Sequence, residues 1–89
     1  MSAAPDNEID VVVLCWNDQA DARRAIGSAL ESQGVEVRVH VVDNGSEPAF
    51  EPGVADPRIE VIRSEMNLGV GGGRNLGAAN GHHPFVCFL

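Results

Sequence analysis

The spacing of apolar and polar residues predicts the elements of this chain before any motif is considered. Ile9 to Cys15, I-D-V-V-V-L-C, is an almost unbroken β-branched run, the composition of a strand buried on both faces of a parallel sheet. Trp16 and Asn17 break it, and Asn17 or Asp18 offers the short side-chain oxygen that caps a helix. Ala22, Ile26, Ala29, Leu30 and Gln33 then fall on one stripe at helical spacing, with Arg23, Arg24, Glu31 and Ser32 off it, and Gly34 is placed to end the helix in a left-handed conformation. Val35 to Val42 alternates as V-E-V-R-V-H-V-V, which predicts a strand with one polar face, nearer a sheet edge than the first. His40 reads there as a half-exposed strand residue.

Asp43-Asn44-Gly45-Ser46 is a dense turn signal. Glu47 to Arg58, with three prolines, predicts a surface loop with at most one helical turn, and Ile59 to Arg63 a short third strand. Arg74 to Asn80 predicts a helix with Leu76 and Ala79 inward, and Phe85 to Leu89 a fourth buried strand. Residues 1–8 read as a disordered leader and 9–89 as one domain. Strands and helices in the order β-α-β-β-α-β imply an α/β fold, Rossmann-like and doubly wound, with a mostly parallel sheet and right-handed crossovers.

Charge narrows the partners. The net charge of -7 argues against nucleic acid and anionic membrane, which need a basic face. All thirteen acids lie between Asp6 and Glu65, so an anion is repelled least by the segment from Met66 onward. The chain has no lysine, which excludes a Walker-type phosphate loop and a lysine Schiff base. No stretch is apolar enough for a membrane span, and the first ten residues lack the pattern of a secretory signal. Cys15 and Cys87 sit in apolar runs without C-x-x-C spacing and read as reduced core residues of a cytoplasmic protein, a disulfide being the lesser alternative.

The candidate chemistry centres on Asn67 to Gly81, N-L-G-V-G-G-G-R-N-L-G-A-A-N-G. Gly69, Gly71, Gly72 and Gly73 remove the Cβ atoms that would hold a ligand off the backbone. A helix starting there presents N-H groups and the positive end of its dipole, with Arg74 as a planar cation beside them, a surface suited to phosphate or diphosphate. The same glycines also describe close packing of a helix on a strand, and the two readings stay open on composition alone. In doubly wound sheets ligands bind beyond the carboxyl ends of the strands. The unusual residues gather at those ends: Trp16 and Asn17, then Asp43 and Asn44, then Asn67 through Arg74. The His82-His83 pair reads as a loop rather than a metal site.

V-V-V-L-C-W-N-D (Val11 to Asp18), V-V-D-N-G-S (Val41 to Ser46), N-L-G (Asn67 to Gly69) and G-G-R-N-L-G (Gly72 to Gly77), followed by F-V-C-F-L, together resemble the N-terminal part of a family-2 glycosyltransferase of the GT-A fold. The resemblance implies a nucleotide-diphosphate-sugar site with a UDP- or dTDP-type donor. It places Cys15, Trp16 and Asn17 along the base and ribose. It places Asp43, with Asn44 beside it, on the imide N-H of the base, and Arg74, Asn67, Gly69, Gly71 and Gly72 around base and diphosphate. For Asp43 the residues alone favour a carboxylate capping its own turn, and only the resemblance turns it toward the base. The family's metal-binding D-x-D motif is expected where this sequence stops and its general base much later, so a divalent metal (Mg or Mn) is expected for the full enzyme with no ligand in this chain. The 89 residues are therefore expected to be catalytically inactive alone, a truncated GT-A domain.

The alternative is a non-catalytic α/β nucleotide-binding or oligomerisation module. As an isolated piece it is expected to self-associate through unpaired sheet edges, and the parent protein is expected to be cytoplasmic, with membrane association open. The acceptor is not legible.

Overall fold

The computed structural model describes residues 8–81 and 85–88, the last four by their backbone. The segment before Glu8, the histidine pair and Leu89 lie outside the described residues. The chain runs β1 (Glu8–Cys15), α1 (Gln19–Leu30), β2 (Glu36–Asn44), β3 (Ile59–Ser64), α2 (Gly69–Ala79) and β4 (Phe85–Phe88). The strands are all parallel and lie in the order β3-β2-β1-β4. Val11, Val13 and Cys15 of β1 and Val37, Val39 and Val41 of β2 pack beneath Ala22, Ile26 and Ala29 of α1. Val12 and Leu14 face α2 on the other side. Burial on both faces is why β1 reads as a continuous apolar run. This is the doubly wound α/β arrangement that the element order implies.

The register also decides the cysteines. Cys87 pairs with Val11, four residues along β1 from Cys15. At about 3.3 Å per residue that is a separation of roughly 13 Å, beyond the reach of a disulfide. Cys15 is a free, buried thiol.

Several expectations are corrected. The first helix ends at Leu30, capped by Glu31, so Gln33 is exposed outside it and Gly34, at φ 78°, serves the turn into β2. The second strand is interior, flanked by β1 and β3, because the chain steps outward from β1 to β3 and then returns over α2 to β4 on the far side. Its polar alternation marks the part of one face where His40 meets charged side chains. The 45–58 segment contains no helical turn, and it is not wholly superficial, since Phe50 is buried in the core under α1. Finally, α2 begins at Gly69 rather than Arg74, with Gly73 and Gly77 inward, Leu76 half-buried and Ala79 exposed.

Small residues on the sheet-facing side let α2 lie close. A Cβ at Gly73 would stand 2.6 Å from Leu14 Cδ2, and one at Gly77 would overlap Val12 Cγ1 and approach Val42 Cγ2 to 3.1 Å. Gly81, just past the helix, faces Asp10 in the same way. By contrast, Gly27 in α1 has open space where a Cβ would go. Gly77→Ala is therefore expected to destabilise the protein by about 1–3 kcal/mol through overpacking. Gly27→Ala is expected to stabilise it by roughly 0.5–1 kcal/mol through helix propensity. Urea unfolding of the two variants checks both, and equal effects would refute the close-packed face.

Candidate functional site

Three chain segments meet at the carboxyl edge of the sheet. After β1, Asn17 takes the left-handed conformation at φ 60°, which its short polar side chain tolerates. Its backbone N-H donates to Ser46 Oγ at 2.9 Å, and its Oδ1 accepts from Glu47 N at 2.8 Å. The turn after β1 is thus tied to the turn after β2. Asp18 caps α1, its Oδ1 accepting from Asp21 N at 3.2 Å. After β2, Gly45 sits at φ 84°, and a Cβ there would press on Asn67 N at 3.1 Å and Met66 C at 3.2 Å. Only glycine fits that turn while the third segment passes over it.

Asp43 holds the middle segment. Its carboxylate is fully buried, with Oδ1 accepting from Ser46 N at 2.9 Å and Oδ2 from Phe50 N at 2.8 Å and Arg63 Nη1 at 2.7 Å. Burial alone would raise its pKa, but the hydrogen bonds from Phe50, Ser46 and Arg63 outweigh it and hold the carboxyl below its ordinary value. Burial is also the leading reason that the Cys15 thiol is pushed up, so it stays protonated and unreactive.

Asn44 points to the opposite face. Its Oδ1 accepts from Leu68 N at 2.8 Å and its Nδ2 donates to Gly69 O at 3.1 Å, which fixes where α2 begins. Asn67 Oδ1 accepts from Gly69 N at 2.7 Å. The first turn of α2 has no acidic residue and no side-chain cap. Gly69 and Gly71 have open space around them, Gly72 faces Leu68, and Arg74 is exposed. At this helix start the apolar side chains of Met66, Leu68 and Val70 are exposed, and so is that of Trp16 after β1.

The structure brings the backbone of Cys15, Trp16 and Asn17, the Asp43-Asn44 pair and the start of α2 to one edge of the sheet. It does not bring Asp43 and Arg74 together. Asp43 projects into the α1 layer, whereas Arg74 rides on the helix covering the other face. The hydrogen bond from a base imide to Asp43 is not open in this structure, because both carboxylate oxygens are occupied and buried. The glycine stretch divides as well: Gly73 and Gly77 serve packing, while Gly69 and Gly71 face open space.

Sequence reasoning missed two clusters. Arg63 at the end of β3 stands opposite Asp43 in register, and only the pairing of two strands distant in sequence reveals it. On the α2 side of the sheet, His40 is buried, not half-exposed, with Nε2 2.8 Å from Asp10 Oδ1 and Nδ1 2.8 Å from Glu60 Oε1. It borders a pocket of about 270 Å³ that Arg38, Arg58 and Asn80 also line. An ionised carboxylate only accepts hydrogen bonds, so imidazolium is the form of His40 that donates to both acids at once. Burial by itself lowers the His40 pKa, but its hydrogen bonds to Asp10 and Glu60 more than offset that and raise it above the ordinary 6.5. The folded pKa thus exceeds the unfolded one. The stabilisation is complete below about pH 6.5 and is lost as pH rises through the folded value. The gap in urea midpoint between wild type and His40→Gln is expected to narrow from pH 6 to pH 9, and a constant gap would count against an imidazolium.

Among the described residues no group of three or more His, Cys, Asp or Glu side chains could hold a metal ion. The divalent ion implied by the resemblance therefore has no ligand set among them. No helix among the described residues is long and apolar enough to cross a membrane.

A parallel sheet with one helix on each face places this chain in the Rossmann-like, doubly wound class of α/β domains. The pattern that defines glycosyl transferase family 2 matches residues 10–89, and the chain belongs to that family. It is 42% identical over 79 residues to the succinoglycan biosynthesis protein ExoO of Rhizobium meliloti (strain 1021), covering 83% of this chain. The chain spans 23% of the length of that relative. No solved structure matches it significantly.

Proposed function

We propose that this chain forms the nucleotide-binding part of an inverting family-2 glycosyltransferase whose donor is a UDP- or dTDP-sugar. The observation that carries the reading is the junction of three turns at the carboxyl edge with the glycine-rich, acid-free start of α2. The exposed Trp16 ring offers an apolar face to the base or ribose, and the backbone of Cys15 to Asn17 lines that side. Open space beside Gly69 and Gly71, with Gly72, Asn67 and the Arg74 guanidinium nearby, suits the diphosphate, while the Gly69 N-H itself is held by Asn67. Asn44 holds that helix start in place, and Asp43 lies beneath the site rather than in it.

The divalent metal, magnesium or manganese, and the carboxylate base that activates the acceptor would be supplied outside the described residues. Likeness to a succinoglycan biosynthesis protein supports a sugar hydroxyl of a growing polysaccharide as acceptor. Titration calorimetry with UDP and dTDP is expected to show weak binding of one or both. Arg74→Met is expected to weaken it about tenfold, the loss of one charge-assisted contact. No heat at millimolar concentration of either nucleotide would sink the reading.

β3 and β4 lie at the two edges of the described sheet, which supports self-association of the isolated chain. Sedimentation at rising concentration is expected to show a species larger than a monomer, and a monomeric mass throughout would refute it.

A further inference from the structure

We infer that Arg63 is a positioning residue for the nucleotide site, setting the shape of its rim without touching the ligand. The inference rests on the donor-site reading above. Arg63 Nη1 bridges Asp43 Oδ2 at 2.7 Å and the Ser46 carbonyl at 3.0 Å. Through Asp43 it fixes the N-H groups of Ser46 and Phe50. Ser46 Oγ in turn accepts from Asn17 N at 2.9 Å, which sets the residue after Trp16. The path runs from the edge strand β3, through a buried carboxylate, to the tryptophan on the exposed rim. The links from Arg63 to Asn17 are direct hydrogen bonds, the last step to Trp16 is a peptide bond, and the carboxylate at the centre is fully buried.

Arg63 is the cation that meets this buried charge, and its own side chain is 30% exposed, with Nε 3.5 Å from Glu65 Oε1. Without the guanidinium, Asp43 keeps its two backbone donors but loses its countercharge, and the 43–50 turn loses the brace on the Ser46 carbonyl. A buried carboxylate without a countercharge shifts toward water or takes up a proton, and either change loosens the turn. The effect reaches ligand affinity by way of backbone geometry, so it differs from the loss of a ligand contact. It also differs from a general loss of stability, which leaves the affinity of the folded molecules unchanged.

The test compares Arg63→Met, Arg63→Lys and, as a control, Arg58→Met, which removes the exposed ion pair with Asp56. Three readouts apply: amide exchange at Ser46 and Phe50, emission of Trp16, which is the single tryptophan, and UDP affinity well below the unfolding temperature. Arg63→Met is expected to speed exchange at both amides about tenfold, shift the Trp16 emission and weaken UDP binding about tenfold. Arg63→Lys is expected to fall between it and wild type, and Arg58→Met to match wild type in all three. Wild-type exchange and emission in Arg63→Met would overturn the inference, whatever its thermal stability. If wild-type protein binds neither UDP nor dTDP, the donor-site reading fails, while exchange and emission still decide the role of Arg63. Should Arg63→Met not fold, Arg63→Gln is judged by the same two readouts.

Discussion

The buried carboxylate of Asp43 is the constraint on which the carboxyl edge of this sheet depends. A charge taken out of water must be met by donors and a countercharge, or it is expelled or neutralised. Here the donors are two backbone N-H groups of the chain that follows, and the countercharge comes from a strand that begins sixteen residues further on. Satisfying one carboxylate therefore fixes the 43–50 turn, draws Phe50 into the core and sets β3 against β2. The same turn passes its order on to the segment after β1 through Ser46 and Asn17. Local turn chemistry and tertiary pairing act on the same two oxygens.

The adjacent residue does the matching work on the other face. Strand alternation sends Asn44 away from Asp43, toward α2, where its amide meets a donor and an acceptor of the helix start. Two consecutive polar side chains thus anchor two layers, and the glycine-rich helix is held at a defined place. Glycines on its inner face bring it close to Val12 and Leu14, while Gly69 and Gly71 nearer its start face open space. One stretch of sequence answers both of the readings its composition allows, with the division made by which side of the helix each glycine occupies.

The cluster of Asp10, His40 and Glu60 follows the same logic away from that edge. Three strands each contribute one polar side chain at neighbouring register positions, and the histidine bridges the two acids. Along the alternating part of β2, Glu36 and Arg38 reach solvent, and only His40 turns into this arrangement. A polar residue in a strand signals a face that is not apolar, and the face is filled here by charge pairing.

By itself the sequence determined the strands and helices, their order and the parallel doubly wound architecture, because hydrophobic period and helix caps are local properties. It also set the unusual polar and glycine residues in the turns after the first three strands, since turn residues and glycines act where they stand. It left open whether Asp43 faces a ligand or its own turn, which glycines pack, and what His40 meets. Those depended on register and on which face each residue took, and a shift of one residue in a strand exchanges the two faces. Only the tertiary structure set Arg63 against Asp43 and placed Arg74 in the other layer, because contacts between distant segments are decided by how sheet and helices close together.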